Sequence, residues 1–339
     1  MTKQILKKAY DDYGRFRIPG IVCLDSGKLL VYYECRKDQY AKTGMESDWA
    51  PSDVGMKSSV DGGKTWSPDV ILARGNGENT NNPVMFADGK TVVFIYHIAY
   101  FRTFCRRSLD EGETWDEPVE ITDVLRVPDR KWTVAACGPG HGTVLADGRY
   151  VVPIWIVSNP EDPKAHHPAV LSMLYSDDRG LSWKLGDIID KDYMGNPTET
   201  CLAQLADGTV MINIRQHSVR PRRMIAYSAD GISKWHGFHL EEALPDPVCM
   251  AGMVAHDGKV YFVNCHSETQ RRELTVFETV DGAMWKPLAV VSEPAGYADV
   301  AVSPDGTRLY VFYEEFTPEE KYLTFAVLDL PCEPEESTS

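Results

Sequence analysis

Ser59-Val60-Asp61-Gly62-Gly63-Lys64-Thr65-Trp66 is followed by two segments of the same pattern, Ser108-Leu109-Asp110-Glu111-Gly112-Glu113-Thr114-Trp115 and Ser176-Asp177-Asp178-Arg179-Gly180-Leu181-Ser182-Trp183. A degenerate copy runs from Ser228 to Trp235, and one that is a residue short runs from Thr279 to Trp285. Ser-x-Asp-x-Gly-x-Thr-Trp describes a turn that satisfies itself. The Asp accepts backbone N–H bonds, the Gly relieves the backbone, and the Trp packs the turn onto a sheet. These aspartates read as scaffold, and no chemistry is assigned to them.

A second repeat is interleaved with the first. An apolar strand, an Asp-Gly type turn and another apolar strand occur at Asp25-Ser26-Gly27, Asp88-Gly89, Asp147-Gly148, Asp207-Gly208, Asp257-Gly258 and Asp305-Gly306. Asp-Gly supplies the positive φ angles that tight hairpins need. One box follows each of the first five hairpins, which divides the chain into six units of about 50–60 residues. With roughly four strands per unit and almost no helical periodicity, the expected fold is all-β, a six-bladed β-propeller in one domain over residues 1–332. The last apolar run, Tyr322 to Leu330, has no box after it and is expected to close the ring with the N-terminal segment. Residues 333–339 are acidic and polar and read as a disordered tail.

The composition bounds the function. The 339 residues are 43% hydrophobic and 25% charged, and 50 acidic against 35 basic residues give a net charge of −15. That balance argues against nucleic acid or an anionic membrane as the main partner. No stretch approaches the roughly 18 apolar residues of a membrane span, so no membrane insertion is expected. The eight cysteines are scattered without CxxC spacing and read as reduced, mostly buried thiols. No metal cluster or cofactor motif is visible. The start, Met1 to Lys8, lacks an apolar core segment, so a cytoplasmic location is expected, or a secreted or periplasmic one if a leader has been removed.

Propellers bind ligands at the central axis, so functional side chains should come from different blades and interrupt apolar strands. Arg17, in Phe16-Arg17-Ile18-Pro19, is one such residue, poorly explained as core. Phe-Arg-Ile-Pro near the N-terminus, followed by Asp-box repeats, resembles the sialidases, and the resemblance runs over nearly the whole chain. It implies that Arg17 is the first of three arginines gripping a substrate carboxylate. Glu199 and Arg215, sixteen residues apart around Leu205-Ala206-Asp207-Gly208, are similar to the family's Glu and second triad arginine. The third arginine falls in Gln270-Arg271-Arg272-Glu273, where alignment favours Arg271 over Arg272. Tyr297, in Gly296-Tyr297-Ala298-Asp299, matches the setting of the nucleophile, although Ala298 stands where the family usually has Ser. The acid/base Asp belongs to the loop after Arg36, which offers Asp38, Asp48 and Asp53. Asp48 fits best and Asp53 second, with Arg36 expected to contact the sugar ring substituents. His141, in a Gly138-Pro139-Gly140-His141-Gly142 block, reads as structural.

The chemistry accounts for these residue types. A 2-keto sugar acid carries its carboxylate on the anomeric carbon, where three guanidiniums can hold it by charge-assisted bonds. A carboxylate nucleophile would meet that group with charge repulsion, whereas a neutral tyrosine with a neighbouring Glu as base does not. Sialidases are the recognised tyrosine exception among glycosidases. The resemblance thus implies a retaining exo-α-sialidase acting on sialylated glycans, with Asp48 protonating the leaving oxygen. Two rival readings remain: the same mechanism on Kdn, Kdo or another ulosonic acid, and a non-catalytic sugar-binding propeller.

Overall fold

The computed structural model describes residues 1–9, 13–37, 48–128, 130–317 and 320–331. The expected tail at 333–339, Cys332 and Asp38 lie outside them. The strands form six sheets arranged as the blades of an all-β propeller, as the repeats predict.

Each of the first five blades alternates the two repeats. In blade I the strands Arg15–Cys23, Leu29–Arg36, Ser52–Ser59 and Val70–Arg74 pair in sequence order, with the Asp25 hairpin joining the first two and the Asp61 box the last two. Blade II runs from Thr80–Asp88 outward through Thr91–Ile98, Arg102–Ser108 and Val119–Glu120, and Gly140–His141 adds to its inner edge in parallel. Blade III is built on Val134–Cys137, Tyr150–Val157, Ala169–Ser176 and Lys184–Leu185. Blade IV begins at Thr200–Gln204, blade V at Gly252–His256 and blade VI at Ala298–Val302. Thr2–Lys8 supplies the outer strand of blade VI by pairing antiparallel with Lys321–Asp329, which is the expected closure of the ring.

The boxes are turns that bind their own backbone. Asp61 Oδ1 accepts from the amides of Lys64 and Thr65, Thr65 Oγ1 donates to Oδ2 at 2.6 Å, and Trp66 Nε1 donates to the Gly63 carbonyl. The bonds to its oxygens hold the Asp61 carboxyl down at about 2, and the backbone and hydroxyl bonds to the carboxylate recur at Asp110 and Asp178. Each box also docks onto a neighbouring blade. The Trp66 ring meets Phe325 of blade VI edge-on at 5.0 Å. Gly63 has φ +84°, and a Cβ there would lie 2.2 Å from the Phe325 ring, so only glycine fits.

Apolar clusters fill the wedges between blades. One joins Phe16, Ile21, Val31 and Tyr33 of blade I to Tyr310, Phe312 and Phe325 of blade VI. At the axis the inner strands are tied by polar side chains instead. Asp299, fully buried in blade VI, accepts from His141 Nδ1 at 2.8 Å and from the Ile21 amide at 3.0 Å. Tyr32 donates to the Gly140 carbonyl and accepts from the Met85 amide. His141 therefore joins blades at the axis and is absent from the cavity described below.

Burial opposes charge on His141, but the Asp299 carboxylate outweighs it and leaves the imidazole above its ordinary value. A histidine raised in this way contributes stability that is fully present below its unfolded pKa, about 6.5, and is lost as pH rises through the folded value. The melting-temperature difference between wild type and His141→Gln should be largest near pH 6 and shrink towards pH 9. A difference that grows with pH would contradict an imidazolium–carboxylate pair.

Candidate active site

All six blades contribute to one cavity of about 230 Å³, lined among others by Arg17, Asp48, Asn82, Tyr100, Trp155, Glu199, Arg215, Arg271 and Tyr297. The side chains come from points where the strand ladders break or end. In blade I the register slips between Arg17 and Gly20, and Ile18 sits at φ 57°, a left-handed conformation that a β-branched residue adopts only under strain. Blade II slips between Asn81 and Val84, with Asn82 at φ 44°. Such bulges re-aim a side chain from the sheet face into the axis. Glu199 and Arg215 flank the hairpin of strands Thr200–Gln204 and Val210–Ile214, Arg271 precedes strand Arg272–Thr279, and Tyr297 precedes strand Ala298–Val302.

Three guanidiniums surround the Tyr297 ring. The Cζ atoms of Arg17, Arg271 and Arg215 stand 4.9, 5.2 and 5.9 Å from its centroid. Two of the three are held by carboxylates. Arg17 Nε donates to Glu314 Oε1 at 2.5 Å, and Glu314, fully buried, also accepts from the amides of Ile18 and Tyr297. Burial alone would raise the Glu314 carboxyl, but Arg17 and these amides outweigh it and keep it ionised. Arg215 pairs with Glu199. Among the described residues Arg271 forms no ion pair, and its Nη2 donates to the Val248 carbonyl at 3.1 Å. Arg272 does not reach the cavity; it pairs at the surface with Glu293 and Glu273.

The Tyr297 hydroxyl donates to Glu199 Oε1 at 2.5 Å and accepts from Arg215 Nη1 at 3.0 Å. Burial pushes the phenol up, against the pull of the arginines, so it is neutral. A carboxylate in this contact can take the phenolic proton as the oxygen bonds to carbon.

Asp48 lines the cavity with its side chain 47% exposed. Burial acts to raise its carboxyl, but the Arg36 and Arg17 guanidiniums outweigh that and hold it at about 2. Asp53 faces elsewhere. It is buried in blade I opposite Cys35, accepting from Tyr13, Lys37 and the Gly75 amide. Arg36 is itself buried, with Nε donating to Glu34 and Nη1 to Asp48 at 2.9 Å each, and it is not among the cavity-lining residues. Its guanidinium is engaged by carboxylates beneath the wall, where ring substituents had been expected.

Several cavity residues were not singled out in the sequence. Glu314 could have been, since a carboxylate interrupts the apolar run of strand Arg308–Phe316. Tyr100, Trp155 and His166 form a ring-lined wall from blades II and III, and no local pattern marks them. His217 is held low, at about 4, first by burial and then by Arg215, so it is neutral at physiological pH. Among the described residues no group of His, Cys, Asp and Glu is arranged to hold a metal ion.

The sequence model of the BNR repeat-like domain matches residues 44–311. A sialidase of Bacteroides fragilis is 27% identical over 317 residues, covering 82% of this chain and 55% of its own. Among solved structures, the Hadza microbial sialidase Hz136 aligns with a TM-score of 0.82 at 23% identity, over 97% of this chain and 68% of that one. Trypanosoma rangeli sialidase in complex with 2,3-difluorosialic acid, described as a covalent intermediate, aligns with a TM-score of 0.74 at 18% identity, over 92% and 54%. The chain spans about half the length of the curated relatives it matches. At these identities the structural likeness speaks for the fold, and the match over residues 44–311 speaks for the family. The chain belongs to the BNR repeat-like family, as a bacterial-type member of the sialidase superfamily.

Proposed function

We infer that this chain is a retaining exo-α-sialidase, a glycoside hydrolase that releases a terminal sialic acid from a glycan. The observation that carries the reading is the 2.5 Å contact of the Tyr297 hydroxyl with Glu199, beside three converging guanidiniums. Arg17, Arg215 and Arg271 bind the carboxylate on the anomeric carbon. Glu199 takes the phenolic proton as the Tyr297 oxygen bonds to that carbon, while Asp48 gives its proton to the departing glycosidic oxygen. Asp48 then removes a proton from water, the water oxygen displaces Tyr297, and Glu199 returns the proton to the phenolate. The relatives' names, all sialidases, support the substrate class.

Asp48 must be protonated for the first step, yet Arg36 and Arg17 outweigh its burial and keep it ionised. A substrate carboxylate on Arg17 cancels one of those charges, and an aglycone above Asp48 removes water from it. Both effects raise its pKa.

Replacing Tyr297 by Phe deletes one oxygen, so folding and sugar binding should survive while turnover of sialosides collapses. A 2,3-difluorosialic acid trap should label the peptide containing Tyr297 in the wild type and fail on the Phe variant. Label on another residue would overturn the mechanism. Turnover confined to Kdn or Kdo glycosides would change the sugar, and binding without any turnover would leave a lectin.

The arginines should separate by stability. Arg17→Ala strips a buried carboxylate of its partner, which costs about 3–5 kcal/mol of folding free energy. Arg271→Ala removes no ion pair among the described residues and should melt like the wild type, yet raise KM strongly, since a lost charged hydrogen bond costs about 1.5–3 kcal/mol. Equal melting temperatures for the two variants would show that Glu314 does not depend on Arg17.

A further inference from the structure

Asp48 differs in exposure from the carboxylates that pair with the arginines in and around the cavity. The side chains of Glu34, Glu199 and Glu314 are 1%, 9% and 0% exposed, whereas that of Asp48 is 47% exposed. It also lies outside the ladder of blade I, between strands Leu29–Arg36 and Ser52–Ser59. Among the described residues, polar contacts reach it from Arg36 Nη1 on the carboxylate and from Asn79 Nδ2 on its backbone carbonyl at 3.0 Å. Proton transfer needs the donor within hydrogen-bond reach of the leaving oxygen.

The next residue supplies a further anchor. Trp49 does not line the cavity. Its ring packs on Tyr100 of blade II with centroids 5.1 Å apart and on His166, in the segment after blade III strand Tyr150–Val157, at 6.3 Å. Lys164 Nζ stands 5.3 Å from the ring centroid on the same segment. The surface beneath is itself braced. His166 lies 4.8 Å from Tyr100 and 5.1 Å from Trp155, and Tyr100 lies 6.1 Å from Trp155. The Tyr100 amide is fixed by Asn81 Oδ1 at 2.9 Å, within a turn where Ala99 and Tyr100 both have positive φ. Aromatic pairs of this kind are stabilising beyond the area they bury. The contacts join a partly exposed loop of blade I to the walls of blades II and III.

We propose that Trp49 is a positioning residue for Asp48: by docking on Tyr100 and His166 it holds the carboxyl at the place where the leaving oxygen arrives. The proposal rests on the reading of Asp48 as the acid/base. Trp49 touches neither sugar nor nucleophile, so its loss should slow only steps that need the proton. A misplacement of about 1 Å can cost about 100-fold.

The test compares an aryl sialoside, whose phenol leaves without much help, with a sialyl-galactoside, whose alcohol needs protonation. Trp49→Ala should lose about 10- to 100-fold in kcat on the galactoside, with little change on the aryl substrate and little change in KM on either. Trp49→Phe, which keeps a ring in the stack, should restore most of the loss. Trp49→Leu keeps apolar bulk without the aromatic stack and gives the same comparison in a chain whose packing is less disturbed. Equal losses on the two substrates, or a loss confined to KM, would overturn the positioning role. Asp48→Asn, measured in parallel, separates the two claims. If it shows no leaving-group dependence, the acid/base reading itself fails. If it shows that dependence and Trp49→Ala does not, only the positioning role fails.

Discussion

Like charges repel, and this site gathers three guanidiniums around one phenol. The contact that makes this possible is the buried pair of Arg17 with Glu314, whose carboxylate is also fixed by the Ile18 and Tyr297 amides. Glu314 thus compensates one positive charge and orients both the first arginine and the backbone of the tyrosine. Glu199 performs the corresponding service for Arg215 while touching the hydroxyl. Arg271 forms no ion pair among the described residues, and its Nη2 donates to the Val248 carbonyl. A molecule with a net charge of −15 can therefore present a pocket lined by three guanidiniums, because Glu314 lies buried outside the lining and Glu199 pairs with Arg215 within it.

The geometry follows from where the ladders fail. Regular inner strands would turn Arg17 and Asn82 along the sheet faces. The bulges at Arg17–Gly20 and Asn81–Val84, with Ile18 and Asn82 in left-handed conformations, turn them into the axis. Strain of this kind persists only where the surroundings over-determine it, and here the Ile18 amide is held by Glu314 and the Asn82 amide by Glu34. The acidic residues that brace the arginines therefore also brace the irregular backbone.

The blades were legible in the sequence because their signals are local. An Asp-Gly hairpin and an eight-residue box each specify a turn without reference to the rest of the chain. The boxes bind as expected, Asp61 and Asp110 alike. Arg17 could be picked out by its break in apolar patterning and Glu199, Arg215 and Tyr297 by resemblance, and the four meet in one cavity. Neighbouring candidates were harder. Arg271 and Arg272 differ by one position at the start of a strand, and only the Glu293 pairing of Arg272 shows which faces out. Asp48 and Asp53 share a segment, but Asp53 lies in the ladder opposite Cys35 and Asp48 does not. Glu314 and the wall of Tyr100, Trp155 and His166 were missed because their meaning lies in partners remote in sequence, 297 residues away for Arg17 and Glu314.

The strand Thr2–Lys8, zipped onto Lys321–Asp329, bears on how the protein comes into being. Closing so long a loop is slow, because its entropy must be overcome before the contacts it makes can reward it. Blade VI, which bears Tyr297 and Glu314, leaves the ribosome after the other five, whereas Arg17 belongs to the first. Until the seam between blades I and VI is made, no nascent chain can juxtapose the first arginine with its carboxylate or with the phenol. Assembly of the cavity and closure of the ring are thus one event, and a chain stalled before blade VI would carry five blades and no complete site.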